Sequence, residues 1–139
     1  MQNLSVASHL GAIAVVDDDM TVCTALWRLL SAYGYRVHTF TSAADFLSSG
    51  KIEDVACLML DIQLGDRSGL DLAHELTASG YCGAIIFMTG SKDEEIRRRC
   101  LDFGCSAFLQ KPIFASKLVG ALTAAIPAEP TVLDRVVGN

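Results

Sequence analysis

Six polar residues of kinds that bind cations and phosphoryl groups lie at the ends of apolar segments of the chain, the last of them after an intervening glutamine: Asp17, Asp18, Asp19, Asp61, Thr89 and Lys111. Carboxylates that converge repel one another unless a cation lies among them, and Mg²⁺ prefers oxygen ligands of this kind. A carboxylate can also act as a nucleophile and form an acyl phosphate. A lysine and a hydroxyl can bind the remaining oxygens of a phosphoryl group. These residue types are suited to Mg²⁺-dependent phosphoryl transfer.

The apolar segments before these residues predict the strands of a parallel sheet. Four of them are continuous, at residues 12–16, 55–60, 84–88 and 107–109, and a fifth, at 36–40, alternates between apolar and polar residues. Continuous apolar runs are typical of strands that are covered on both faces. The alternating segment suits a strand with one wetter face.

Helical patterns lie between the predicted strands. An apolar stripe with helical spacing begins at Val22, and Gly34 predicts its end; the last stripe ends before Pro127. Further helix starts are predicted where a serine precedes an acidic residue by three positions, at Ser42, Ser68 and Ser91. The pattern is (βα)5, an α/β fold that right-handed crossovers wind into one sheet with helices on both sides.

This fold brings the polar strand ends together. In an open parallel sheet, ligands bind beyond the carboxyl ends of the strands, where the winding reverses. In the common strand order 2-1-3-4-5, the first and third strands flank that point. We therefore expect Asp17, Asp18 and Asp61 to converge, with Thr89 and Lys111 from the neighbouring strands. In this arrangement Asp61 is the nucleophile, Asp17 and Asp18 hold Mg²⁺, and Thr89 and Lys111 bind the phosphoryl oxygens.

Each of these residues has an ordinary structural interpretation when taken singly. An aspartate after a strand often caps the next helix, which is the role expected of Asp19. A lone Asp61 or Thr89 could belong to a turn, and Lys111 before Pro112 could be a solvated loop residue. The position of all four strand ends on one edge of the sheet favours the shared chemical role.

Composition and charge limit the class of protein. The 139 residues suit one domain, predicted at residues 9–127, with a tail or linker at 128–139. The 11 basic and 16 acidic residues give a net charge of −5, which argues against a binder of nucleic acid or anionic membranes.

No apolar run approaches the roughly 20 residues that cross a bilayer, and we expect a cytoplasmic protein. Five cysteines without C-x-x-C spacing are predicted to be small buried hydrophobic residues.

The segments around these polar residues resemble the receiver domains of bacterial two-component response regulators, over about residues 11–126. VVDDD is similar to the family's acidic pair at Asp17 and Asp18, and LMLDIQLGDRSGLDL to its phosphoacceptor segment at Asp61. IIFMTG resembles the segment of the switch hydroxyl at Thr89, and AFLQKPI that of the lysine at Lys111. The residues at 40–47 and 89–90 are similar to those of receivers that precede helix-turn-helix output domains.

The resemblance implies a flavodoxin-like, doubly wound fold and further roles. It implies that the carbonyl of Gln63 completes the Mg²⁺ site, that Phe108 is the switch aromatic, and that Gln63 and Ser91 tune loss of the phosphoryl group. It also implies a signalling phosphoacceptor rather than an enzyme, served by a histidine kinase or phosphotransfer protein. A phosphorylation-dependent homodimer through the fourth helix, fifth strand and fifth helix is a further implication. Gly65 stands where the family usually carries a proline, and we expect a more mobile loop there.

Two alternatives belong to other functional classes. Asp17, Asp19 and Thr21 spell D-x-D-x-T, the opening motif of haloacid-dehalogenase-like phosphatases, in which Asp17 would be the nucleophile. Against this interpretation, the sequence has no paired acids after Lys111 to form the last metal-binding motif of that family, and Asp61 would have no role. The other alternative is a phosphorylation-independent interaction module, whose usual sign is loss of the acidic pair, the acceptor aspartate or the lysine. All of these residues are present here.

Overall fold

The computed structural model describes residues 11–126, in which five strands alternate with five α-helices. The strands are β1 (Ala12–Val16), β2 (Val37–Phe40), β3 (Val55–Asp61), β4 (Ala84–Thr89) and β5 (Ala107–Gln110). The helices are α1 (Met20–Ala32), α2 (Ala43–Ser48), α3 (Gly69–Ala78), α4 (Glu94–Phe103) and α5 (Ala115–Ala125), with a short 3-10 turn at Ile52–Asp54 before β3. This order confirms the predicted (βα)5 pattern.

The strands form one parallel sheet in the order β2-β1-β3-β4-β5, which is the predicted order. Val16 of β1 pairs with Leu60 of β3, so that the residues that follow, Asp17 after β1 and Asp61 at the end of β3, lie side by side. On the other side of β3, Asp61 itself pairs with Met88 of β4. The register therefore sets the first and third strand ends at one edge of the sheet.

Two apolar layers cover the faces of the sheet. Successive residues of a strand point to opposite faces, so that Leu58 and Leu60 pack in one layer, and Cys57 and Met59 in the other. The first layer is completed by α2, α3 and α4, and the second by α1 and α5. All five residues of β1 are buried, as expected for a continuous apolar run in the middle of a doubly covered sheet.

The helix N-termini follow the sequence prediction at three sites and differ at one. Asp19, Ser42 and Ser68 each accept a hydrogen bond from a backbone N–H in the first turn of the following helix. The predicted cap at Ser91 is wrong. Its hydroxyl instead accepts from the backbone N–H of Asp93, and Asp93 caps α4 through the N–H of Glu95.

Strand ends also differ slightly from the prediction. β2 begins at Val37, one residue later than expected, and β3, β4 and β5 each extend one residue further. Asp61, Thr89 and Gln110 are therefore the last residues of their strands, which fixes their backbones by ladder hydrogen bonds.

The cysteines are buried with one clear exception. Cys23, Cys57 and Cys100 are buried and Cys105 is half-buried, whereas Cys82 is exposed in the segment before β4, so the prediction of burial is wrong for it. The predicted limits at residues 9 and 127, the tail at 128–139 and the stop at Pro127 lie outside the described residues. Within residues 11–126, no helix has the length and apolar character needed to cross a membrane.

Candidate functional site

The carboxyl edge of the sheet holds the polar residues that the sequence singles out. Asp17, Asp18 and Asp61 each have a carboxylate oxygen within 4.8 Å of the others. Asp17 is fully buried, Asp61 is 5% exposed, and Asp18 faces solvent. The three residues thus form a carboxylate cluster that is open to water on the side of Asp18.

Lys111 supplies the positive charge of this site. Its Nζ lies 2.7 Å from Oδ2 of Asp17 and 3.0 Å from Oδ2 of Asp61. Burial alone would lower the pKa of Lys111, yet the contacts with both carboxylates raise it above the ordinary lysine value. Lys111 is therefore charged at neutral pH and joins the ends of β1, β3 and β5. Its peptide bond to Pro112 is cis.

Asp61 lies in surroundings that make its negative charge costly. Burial raises the pKa of its carboxyl, and the charge of Asp17 raises it further. The backbone N–H of Gln63, which donates to Oδ1 at 3.0 Å, and Lys111 act in the opposite direction. The Asp61 carboxylate is thus held in a fixed orientation, but its charge is only partly compensated.

The cluster is suited to an additional cation. Oδ1 of Asp17 accepts from the backbone N–H of Asp19 at 2.9 Å. Oδ2 of Asp17 is fully buried and, apart from the ion pair with Lys111, makes no hydrogen bond of regular geometry within residues 11–126. Three carboxylates against one lysine leave negative charge in excess, and this all-oxygen donor set fits Mg²⁺. The cluster members are three of the four residues that the sequence predicts as metal ligands, and the fourth, Gln63, stays a prediction.

Thr89 ends β4 beside this cluster and is 1% exposed. Its Oγ1 accepts from the backbone N–H of Ser91 at 3.0 Å, which leaves the hydroxyl proton available to donate. The side-chain amide of Gln110 donates to the backbone oxygens of Thr89, at 3.2 Å, and Ser91, at 3.0 Å. The segment after β4 is thereby tied to the last residue of β5.

The acceptor loop, residues 62–68, connects Asp61 to α3. It is closed by hydrogen bonds between Gly69 N–H and the oxygen of Ile62 (2.7 Å) and between Leu64 N–H and the oxygen of Arg67 (3.2 Å). Gly65 has a φ of +82°, in the left-handed region that side chains rarely adopt. Proline cannot reach this φ, so the loop differs in backbone conformation from one with proline at this position. The expected mobility of the loop stays a prediction.

Phe108 lies on β5, away from the carboxylates. It is half-buried, packs against the layer of α2, α3 and α4, and lines a cavity of about 640 Å³ between α4, β5 and α5. The exposed ring of Phe114 and the side chains of Arg97 and Lys117 also line this cavity. Phe108 therefore lies between the core and an open cavity on this face.

Sequence reasoning missed two residues with contacts at this edge of the sheet. Gln110 precedes Lys111 and binds the segment after β4, and Asp66 of the acceptor loop accepts from the backbone N–H groups of Ala43 and Ala44 in α2. Their partners lie about 20 residues away along the chain, so no local spacing marks them. Their positions beside Lys111 and in the loop after Asp61 are the only signals that could have drawn attention to them.

Comparison with known proteins agrees with this architecture. The family model described as the response regulator receiver domain matches residues 13–123. The chain belongs to the response regulator receiver family. The receiver is 36% identical over 114 residues to the transcriptional regulatory protein FixJ of Azorhizobium caulinodans, covering 82% of this chain and 54% of FixJ. It is 34% identical over 118 residues to the response regulator TodT of Pseudomonas putida, covering 85% of this chain and 52% of TodT.

Solved structures of receivers have the same fold. A receiver domain protein of Clostridium thermocellum superimposes with a TM-score of 0.78 at 27% identity, covering 84% of this chain and 94% of that one. The BeF3-activated receiver domain of DrrB from Thermotoga maritima gives a TM-score of 0.73 at 27% identity, covering 82% and 95%. The chain spans about half the length of FixJ and TodT. Receivers are signalling modules, and this one carries the aspartate cluster intact.

Proposed function

We propose that this receiver accepts a phosphoryl group on Asp61 from a histidine kinase or phosphotransfer protein, with Mg²⁺ bound at the carboxylate cluster. The single observation that carries the proposal is the position of Asp61, buried beside Asp17, with its Oδ2 3.0 Å from Lys111 and its Oδ1 bound by the N–H of Gln63. Asp17, Asp18 and Asp61, with the carbonyl of Gln63, would hold the metal. When bound there, Mg²⁺ would neutralise charge on the phosphoryl oxygens during transfer.

In the transfer step, a carboxylate oxygen of Asp61 attacks phosphorus and forms an O–P bond, while the N–P bond of the donor phosphohistidine breaks. The donor nitrogen keeps the electron pair of that bond. The phosphoryl group brings about −1.5 to −2 charges into the site. Lys111, already charged and in contact with Asp61, binds one of the new oxygens, and the hydroxyl of Thr89 donates to another.

Movement of Thr89 towards the phosphoryl group is the step that we propose as the switch. The space beside Thr89 is then filled by Phe108, which repacks the face formed by α4, β5 and α5. Shifting a two-state equilibrium from 1:99 to 99:1 requires about 5.5 kcal/mol of differential binding. A few charge-assisted hydrogen bonds, each worth about 1.5–3 kcal/mol, are enough for that shift.

The repacked face is the proposed output. It carries the cavity lined by Phe108 and Phe114 and the charged side chains of α4. We propose that it mediates a phosphorylation-dependent homodimer in the cytoplasm, and that this domain itself contacts neither nucleic acid nor membrane. The excess of acidic over basic residues supports the second point.

Locating the phosphoryl group tests the proposal directly. After incubation with acetyl phosphate and Mg²⁺, mass spectrometry of the digested protein should find the phosphoryl group on the peptide that contains Asp61. A phosphoryl group on Asp17 would instead favour the phosphatase alternative.

Two observations disfavour Asp17 as a nucleophile. Asp17 is fully buried, and Asp19 of the same motif caps α1 by accepting from the N–H of Thr21. A chain that takes up no phosphoryl group would favour the interaction module.

Mg²⁺ is expected to stabilise the folded receiver through Asp18. A ligand at 100 times its dissociation constant adds about 2.7 kcal/mol to the free energy of unfolding. Because Asp18 is exposed and adds to the repulsion within the cluster, Asp18→Asn should not lower the free energy of unfolding without metal. The same change should remove most of the Mg²⁺-dependent increase, measured by urea unfolding with Mg²⁺ and with EDTA.

Asp19→Asn is the matched control for that experiment. It removes the same charge one residue away, but Asp19 is a helix cap, and asparagine caps as well as aspartate. The control should keep the full response to Mg²⁺. If Asp18→Asn were stabilised by Mg²⁺ as much as wild type, the assignment of Asp18 as a ligand of the metal would be wrong.

Gln63 and Ser91 are predicted to set the lifetime of the phosphorylated state. The former is exposed and the latter half-buried, and both lie two residues beyond strand ends of the site. Alanine at either position leaves more room for water, and the loss of one polar contact of about 1 kcal/mol corresponds to a rate change of about fivefold. We expect both alanine variants to lose the phosphoryl group faster when its decay is followed after removal of acetyl phosphate. Thr77→Ala on an exposed position of α3 should decay like wild type, and equal rates in all variants would contradict the assignment.

A further inference from the structure

The acceptor loop contacts one carboxylate of the cluster and passes close to a second. The backbone N–H of Gln63 donates to Oδ1 of Asp61 at 3.0 Å. On the other side, Oδ2 of Asp18 lies next to Gly65, 3.4 Å from the point where a β-carbon on that glycine would be. The position of this loop therefore affects how closely the carboxylates of Asp18 and Asp61 can approach a shared cation.

The backbone of the loop does not fix that position by itself. Gly65, with its φ of +82°, has more conformational freedom in the unfolded chain and in loop fluctuations than any other residue type would have. Backbone hydrogen bonds close the loop on itself. Contacts of the side chains around Gly65 add to the order of the loop.

Three side chains supply such contacts. Leu64 is buried at 2% exposure in the layer of α2, α3 and α4, and Arg67 forms an ion pair of 2.7 Å with Glu75 of α3. These two hold the loop against its own following helix and the core. Asp66, between them and next to Gly65, reaches across to the N-terminus of α2.

The contact of Asp66 is a carboxylate shared between two helical N–H groups. Oδ1 accepts from Ala43 N–H at 3.4 Å and Oδ2 from Ala44 N–H at 3.2 Å, while the third N–H of the turn, that of Asp45, is bound by Ser42. These first-turn donors have no partner within a helix, and a negative charge near them is favourable. The two distances are long for hydrogen bonds, so we expect a modest stabilisation of the loop position.

We propose that Asp66 is a positioning residue for the metal-binding cluster: by bridging the acceptor loop to α2 it holds the loop where Asp18 and Asp61 can share one cation. The proposal rests on the proposed function, because it takes the cluster to be a Mg²⁺ site. Asp66 itself is not a ligand, since both of its oxygens are directed to α2 and it lies outside the carboxylate cluster.

Mg²⁺ titration of the labelled protein, followed by NMR, tests this role without phosphoryl transfer. We expect Asp66→Ala to raise the Mg²⁺ dissociation constant about fivefold, the lower end of usual couplings between sites. Ser42→Ala is the matched control, because it removes the neighbouring N-cap bond of the same short helix without touching the loop. It should lower the thermal midpoint as Asp66→Ala does, and leave the Mg²⁺ dissociation constant within about twofold of wild type.

Amide hydrogen exchange supplies a second measurement. Since coupling between two sites is reciprocal, Mg²⁺ should slow exchange at Ala43 and Ala44 in wild type and lose this effect in Asp66→Ala. Equal Mg²⁺ affinity in Asp66→Ala and wild type would overturn the role of Asp66. If Ser42→Ala weakened Mg²⁺ binding as much as Asp66→Ala does, the role would also be overturned, because Asp66 would then act only as a cap of α2. A wild-type protein that bound no Mg²⁺ would overturn the metal site itself, and the role of Asp66 with it.

Discussion

Asp61→Asn is expected to abolish the response of the protein to beryllofluoride and Mg²⁺. Beryllofluoride stands in for a phosphoryl group by bonding to a carboxylate oxygen, and the asparagine amide offers no such anionic oxygen. The titration is followed by the fluorescence of Trp27, which is half exposed on α1, or by amide chemical shifts.

The same variant should fold normally. Asparagine has nearly the shape of aspartate, its oxygen can still accept from the N–H of Gln63, and Lys111 keeps its ion pair with Asp17. Asp45→Asn, an identical change on the exposed face of α2, should respond to beryllofluoride as wild type does. A wild-type protein that gives no response, or an Asp61→Asn variant that responds equally, would end the phosphoacceptor proposal.

Gly69→Ala is expected to lower both stability and phosphorylation. A β-carbon on Gly69 would lie 2.1 Å from the backbone oxygen of Asp61 and 3.2 Å from Cα of Ile62. These are backbone atoms of the last residue of β3 and of the residue after it, so they cannot move aside as a flexible side chain could. Overpacking of this kind costs about 1–3 kcal/mol in the free energy of unfolding. A shift of Asp61 by about 1 Å can lower the rate of phosphoryl transfer about a hundredfold.

Gly120→Ala provides the comparison for this variant. Gly120 lies in the middle of α5, and a β-carbon there would meet no atom of another element of residues 11–126 within 4 Å. Alanine at this position should therefore stabilise the helix by up to about 1 kcal/mol. Urea unfolding and the rate of phosphorylation by acetyl phosphate measure the two effects separately. If Gly69→Ala kept the wild-type free energy of unfolding and phosphorylation rate, the close packing of Gly69 against Asp61 would not be needed for either.

The sheet and the main site residues could be predicted because both depend on short-range patterns. The continuous run before Asp17 can be buried on both faces only in the middle of a doubly covered sheet, and β1 lies there. Once five parallel strands are inferred, their carboxyl ends must share an edge. The convergence of Asp17, Asp61 and Lys111 then follows from topology without any knowledge of side-chain geometry.

Features that depend on exact loop geometry could not be predicted. Ser91 and Asp93 are both good helix caps, and only the path of the backbone after β4 decides that the helix begins after Asp93. The contacts of Asp66 with α2 and of Gln110 with Thr89 join residues that are far apart in sequence. Cys82 is exposed in the short segment between α3 and β4, whereas the adjacent Tyr81 packs against the core, and no local pattern distinguishes the two.

The two hydrogen bonds of the Gln110 amide connect the backbone at the end of β4 to the strand that carries Phe108. Any displacement of the backbone at Thr89 and Ser91 that preserves these bonds must carry the side chain of Gln110 with it. Phe108 is two residues away on the same strand, and side chains two apart project to the same face of a sheet. In the proposed mechanism, the connection from Thr89 to the face that carries Phe108 would therefore span no more than two peptide units of β5.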